Sequence, residues 1–313
     1  MKWNLKDILN DTHQLTRITI LTGVVLVLAV LSFGGYYYYD RYYSTQPAQE
    51  KMTLAEAEQA VRDDPQNVEK RLVLAENYMI NSRFQEAVSQ ADQVLASQTE
   101  NQHAWLIIGV SNNMLGKPAD AIEPLTKFIS ARQDEDNAGL DQQLVSAAYY
   151  LGDSYLQMGK SQEAIAPLQM SVQWSKTDAD AMYKLGLAYS GIKDYTNAVN
   201  MFHGATTFVP DFLEVYQAMA QAYDALQKPV LASYARGMIN YSEKNYAGAL
   251  PILLKAAEGD PGFAPTFVGL GRTYEALNDL QNAKSAYEAA FKLDPNNFTA
   301  SNGIDRVTAA LKK

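Results

Sequence analysis

Residues 264–297 read APTFVGLGRTYEALNDLQNAKSAYEAAFKLDPNN, and this stretch decides the fold. Phe267, Leu270 and Tyr274 recur at the spacing that puts side chains on one face of a helix. A second helix carries Leu280, Ala283, Tyr287 and Ala290. Pro295 ends it, because proline lacks the N–H and the ring clashes with the preceding turn. The small residues Gly271, Ala283 and Ala290 let the two helices approach closely, and Tyr287 is predicted to fill the space between them. One such pair cannot bury both of its apolar faces, so copies must stack.

The pattern recurs upstream. Leu74, Ala75, Tyr78, Phe84 and Ala87 occupy matching places, as do Trp105, Ile108, Gly109 and Ala121. Leu151, Gly152, Tyr155, Gly159 and Ala164 follow, then Leu185, Gly186, Tyr189, Tyr195, Ala198, Phe202, Ala205 and Pro210. Ala75 to Gly109 and Gly152 to Gly186 are each 34 residues, but Gly109 to Gly152 is 43. The nine inserted residues fall in the acidic run ARQDEDNAGLDQQ at 131–143, predicted to be an exposed loop or a helix extension. Gly186 to Gly237 is 51 residues, one and a half periods. The stretch 213–226 supplies a first helix with Tyr216, Met219, Ala220 and Tyr223, and 230–261 is a whole repeat in itself. Either one helix is unpaired, or 230–242 serves both neighbours. Gly116 sits where an inter-helix turn wants a left-handed backbone. Thr53 and Glu56 form a capping box. It opens a helix with Leu54, Ala57 and Val61 on its buried stripe, and Ala300, Ile304, Val307 and Leu311 make the stripe of a closing helix.

This spacing resembles the tetratricopeptide repeat, a helix–turn–helix unit of 34 residues. The resemblance implies an all-α fold: an α-solenoid of helix pairs wound as a right-handed superhelix, with ligands in the concave groove of the first helices. Arg71 and Asn112 depart from the family pattern, replacing a large apolar residue and a tyrosine. The family's groove places fall here on Tyr149, Asp153, Tyr183, Leu187, Tyr234, Met238, Tyr241 and Arg272, with Glu69, Glu76, Glu214 and Asp224 adding acid. Tyrosine offers contact area with a polar handle; the alternative for these tyrosines is internal packing. The family's carboxylate clamp needs Lys, Asn and Arg at these places, and only Arg272 fits. The implied partner is therefore an extended or helical protein segment of apolar and basic character.

Residues 18–39 carry no charge and, as a helix, span about 33 Å, enough for a bilayer core. Tyr36, Tyr37, Tyr38, Tyr39, Tyr42 and Tyr43 cluster at one end, as in an interfacial aromatic belt. The alternative is a cleaved signal peptide, with Ser32 and Gly34 as small residues at the cleavage site. Lys2, Lys6 and Arg17 precede the span, against Arg41 and Lys51 after it. That bias puts the amino terminus in the cytoplasm and the repeats outside. The predicted layout is a lead at 1–17, interfacial or disordered; a transmembrane helix at 18–39; and a linker at 40–52. A capping half-repeat at 53–66, six repeats plus one extra helix at 67–297, and a capping helix at 298–313 complete it.

The chain carries a formal charge of −9, opposite to a general nucleic-acid binder, and no cysteine. Disulfides, thiolate metal sites and a lipoprotein anchor are excluded. His13, His103 and His203 lie far apart, and no phosphate-binding glycine loop or nucleophile elbow occurs. No catalytic residue, metal or cofactor is assigned. The sequence reads as a non-enzymatic scaffold, anchored in an inner membrane by one helix, that serves as chaperone or assembly factor for envelope or secreted proteins. The alternative is a permanent subunit of a larger membrane complex.

Overall fold

The computed structural model describes residues 52–134 and 140–312. The lead, the transmembrane helix and nearly all of the linker expected before residue 52 lie outside the described residues. No described helix is long and apolar enough to cross a membrane. The described residues form fifteen helices and no strand. They are α1 (Leu54–Asp63), α2 (Val68–Ile80), α3 (Phe84–Ser97), α4 (Gln102–Met114) and α5 (Pro118–Arg132). Next come α6 (Gln142–Gln157), α7 (Ser161–Trp174), α8 (Ala179–Gly191), α9 (Tyr195–Phe208) and α10 (Leu213–Ala225). The last are α11 (Pro229–Ser242), α12 (Tyr246–Gly259), α13 (Ala264–Ala276), α14 (Leu280–Leu293) and α15 (Phe298–Leu311).

Helices pack as sequential antiparallel pairs, and each first helix also touches the first helix of the next pair. One device closes five of the pairs. The side chains of Leu125, Leu168, Phe202, Leu253 and Tyr287 fill the space over Gly109, Gly152, Gly186, Gly237 and Gly271 respectively, leaving no room there for a Cβ. All five large side chains are fully buried. Tyr287 fills a second gap, over Gly303, and so fixes α15 against the last pair.

The turns are of two kinds. Turns within pairs pass through a left-handed residue: Ser82 (φ 57°), Gly116 (φ 68°), Gly159 (φ 70°), Lys193 (φ 64°) and Asn278 (φ 62°). Among the described residues, turns between pairs have none. The break in periodicity is resolved by this distinction. Gln227 (φ 55°), between α10 and α11, and Lys244 (φ 62°), between α11 and α12, are both left-handed. Helix α11 is thus the second helix of one pair and the first of the next. It packs on α10 and α12 alike and reaches α13 as a first helix does. Of the inserted stretch, residues up to Arg132 extend α5, and Asp141 caps α6 by accepting the Gln143 amide.

Candidate functional site

The face built by the first helices carries the candidate residues, and its polar groups come first. Asn113 on α4 donates through Nδ2 to Asp153 Oδ2 at 3.0 Å, with Ser154 Oγ 2.9 Å and the Tyr150 carbonyl 3.3 Å away on α6. Asp153 accepts from Gln157 at 2.7 Å and pairs with the Lys184 ammonium on α8. Burial pushes the Asp153 carboxyl up, but the hydrogen bonds from Lys184, Asn113 and Gln157 outweigh it and hold the group below the usual carboxylate range. Asp153 thus joins three consecutive pairs and is 6% exposed. Other expected acids are also engaged: Glu76 pairs with His103 at 2.9 Å, and Asp224 with Arg236. Glu69 and Glu214 stay exposed.

The aromatic candidates separate into two groups. Tyr149 stands edge-on to Tyr150, with ring centres 5.2 Å apart, and burial raises its hydroxyl pKa well above the usual tyrosine value. Tyr183 leans on Phe212 at 5.3 Å and Phe202 at 6.2 Å, one turn from Leu187 on α8. Tyr241 meets Tyr246 at 5.4 Å. These four side chains are half-buried, each keeping an open surface. Tyr234 and Met238 differ: at 4% and 2% exposed they pack inside.

Tyr234, Met238 and Arg272 come together in a cleft of about 600 Å³ between the ends of α9, α11, α13 and α15. Its walls include His203, Phe208, Phe263 and Phe298. Tyr234 meets Phe263 nearly at right angles with ring centres 5.2 Å apart, and His203 lies 5.7 Å from Phe263. The His203 Nε2 is 2.6 Å from the Tyr223 hydroxyl, and burial pushes its pKa down to about 4, so the ring is neutral at pH 7. Tyr216, beside Tyr234, is pushed up to about 12 by burial. Tyr149, Asp153, Tyr183, Leu187 and Tyr241 do not line this cleft.

Sequence reasoning missed Asn113, Lys184, His203, Phe263 and Phe298. A signal existed for Phe263. First helices α2, α4, α6 and α8 are capped by the side chains of Asn67, Asn101, Asp141 and Asp178, whereas α10 and α13 have Phe212 and Phe263 at that position and no side-chain cap. Among the described residues no group of three His, Asp or Glu side chains stands close enough to hold a metal ion.

The fold and this face define a helical-repeat scaffold. Three tetratricopeptide-repeat family models match, at residues 72–138, at 146–173 and 180–210, and at 264–297, together just over half of the chain. The chain belongs to the tetratricopeptide repeat family. It is 42% identical over 69 residues to a heat shock protein sti1 homolog of Schizosaccharomyces pombe, a match covering 22% of this chain and 12% of that protein. Among solved structures it is similar to YrrB, described as a TPR protein with an unusual peptide-binding site. That likeness has 15% identity and a TM-score of 0.50, over 68% of this chain and 97% of that one. It is similar also to MamA, with 26% identity and a TM-score of 0.48 over 56% of this chain and 97% of that one.

Proposed function

We propose that the protein captures a segment of a partner protein on the face built by its first helices, as a chaperone or assembly factor for envelope or secreted proteins. One observation carries the reading: Tyr149, Tyr183, Leu187 and Tyr241 hold half-open apolar surface on the first helices α6, α8 and α11, while the acids Asp153, Glu76 and Asp224 expected on this face are already paired. Half-open tyrosines supply binding area at small entropic cost. Of the acids expected on this face only Glu69 and Glu214 stay open to a basic ligand, so the partner is read as apolar first. The anchor at 18–39, with the amino terminus cytoplasmic and the repeats on the outer face of an inner membrane, belongs to the same proposal and rests on the uncharged span and the basic residues before it.

A photo-crosslinker placed at Tyr183 in native membranes tests the capture. Many secreted or envelope proteins are expected among the products. A single stoichiometric product instead supports a fixed subunit, and no product would sink the reading of this face. Topology is tested separately by a cysteine at Asn67. It should react with an impermeant reagent in spheroplasts; labelling only after lysis would place the repeats in the cytoplasm.

A further inference from the structure

We propose that one edge of the array is a lipid-contact edge: the turns that close the pairs from α2 to α11 rest on the anionic phospholipid headgroups of the bilayer that holds the anchor. The inference rests on the anchor reading above and adds how the array stands on that bilayer.

Five turns make the edge, each joining a first helix to its second: 81–83, 115–117, 158–160, 192–194 and 226–228. Each carries one exposed cation, in order Arg83, Lys117, Lys160, Lys193 and Lys228. Each also has an apolar side chain within three residues of that cation. Ile80 is 68% exposed and Met114 50%, Met158 and Ile192 are exposed as well, and Leu226 is half-buried. At Lys193 the backbone is left-handed, the place that Gly116 and Gly159 take in the two turns before it. Lysine is held there against a backbone cost that glycine would escape.

Charge separates this edge from the opposite one. Asp194 is the one acid on the five turns, and it is tied to the amide and the side chain of Asn197. Glu86, Asp120 and Glu163 stand a turn further back, inside the second helices, and Glu86 is held by Arg83. Among the described residues Lys160, Lys193 and Lys228 make no ion pair, and Lys117 donates only to the neutral Gln85 side chain at 2.8 Å. The turns at the other edge, between the same pairs, hold Asp64, Glu100, Asp134, Asp141, Asp178 and Asp211 against Lys176 alone among the described residues. A negatively charged bilayer surface attracts the first edge and repels the second. Apolar side chains beside lysines suit the headgroup boundary: the carbon stems enter it while each ammonium meets a phosphate.

The chain also enters the array at this edge. Glu58 accepts from the Tyr78 hydroxyl at 3.1 Å and pairs with Arg83 at 3.4 Å. Helix α11 ends the row. It is a single helix serving two pairs, so the next left-handed turn, at Lys244, falls on the opposite edge.

The chain has no cysteine, so single labels can be placed cleanly. The test uses the full chain with Ile192→Cys, or with Thr177→Cys at the other end of α8, each carrying a fluorophore. The protein is reconstituted in nanodiscs of phosphatidylcholine alone or mixed with phosphatidylglycerol, both doped with a headgroup spin-labelled lipid. The Ile192 label should be quenched strongly in the anionic discs and weakly in the neutral ones, and the Thr177 label in neither. High salt should release the quenching. Lys193→Gln should lower the docked-to-free ratio by about fivefold, the usual weight of one basic residue at an anionic surface. Gln227 takes the same left-handed backbone in its own turn, so this variant should fold. Equal quenching at both ends of α8, quenching indifferent to lipid charge, or none at Ile192 would each overturn the proposal. An unquenched Ile192 label together with salt-sensitive oligomers would assign the edge to the acidic edge of a second copy instead. Co-elution of the chain with the discs reports the anchor by itself. Entry into discs without quenching sinks only the lipid-contact edge; failure to enter sinks the anchor reading and this inference with it.

Discussion

Asn113 and Asp153, 40 residues apart in the chain, share a buried hydrogen bond of 3.0 Å that ties α4 to α6, and Lys184 carries the same link on to α8. Three successive repeat units are thus joined through one carboxylate. Asp153→Ala should leave the Lys184 ammonium and the Gln157 amide without their acceptor and should destabilise the array by about 2–4 kcal/mol. Urea unfolding followed by circular dichroism measures it. A midpoint unchanged from wild type would mean that water replaces the carboxylate without penalty. The sign of the pH effect is also fixed. Because the folded-state pKa of Asp153 lies below its unfolded value, its contribution is present above about pH 4 and is lost as pH falls below that.

Gly186 has no room for a side chain, since the Phe202 ring stands where its Cβ would go. Gly186→Leu should overpack this contact and cost about 1–3 kcal/mol. The melting temperature should drop by several degrees, and Gly186→Leu together with Phe202→Ala should recover part of the loss. An unaltered melting curve for the single variant would show that the register assigned to α8 and α9 is wrong.

His203 is half-buried and stays a neutral ring. Its folded-state pKa of about 4 lies below the unfolded value, so below about pH 6.5 the unfolded chain takes up a proton that the folded chain refuses. Stability should therefore fall between pH 7 and pH 5 by about 2 kcal/mol from this group. His203→Gln should flatten that slope. If both proteins lose the same stability over this interval, another group carries the titration.

Tyr287 fills the gaps over Gly271 and Gly303 and donates its hydroxyl to Glu275 at 3.0 Å. Tyr287→Ala should open a cavity worth about 3–5 kcal/mol and free α15 from the array. Hydrogen exchange should then show residues 298–312 losing protection ahead of the rest. Protection lost evenly along the chain would argue that α15 is held by other contacts.

Much of this fold could be read before any coordinate. The large residue of each second helix that covers a glycine of the first follows from local spacing alone, because both partners sit in one pair. The double role of α11 could not be fixed from the same signal. Residues 230–242 fit either a shared or an unpaired helix, and only the left-handed turns at Gln227 and Lys244 decide between them. The site was less legible for the same reason. Asn113, Asp153 and Lys184 come from three different pairs, and nothing in the local pattern says that they meet. The family's groove places led to Tyr234 and Met238, but not to their burial as a floor. Phe263 and Phe298 flank the places usually read for ligand contact and were passed over.

The shared helix has a mechanical consequence. Between ordinary pairs, a repeat protein can part at a seam and leave intact units on both sides. No such seam exists at α11, because separating α10 from α12 there would tear a helix from one of its two partners. Partial digestion should therefore yield fragments that end near Pro210 or Pro261 and keep 213–259 whole, so that these three helices persist as the last durable piece of the central array.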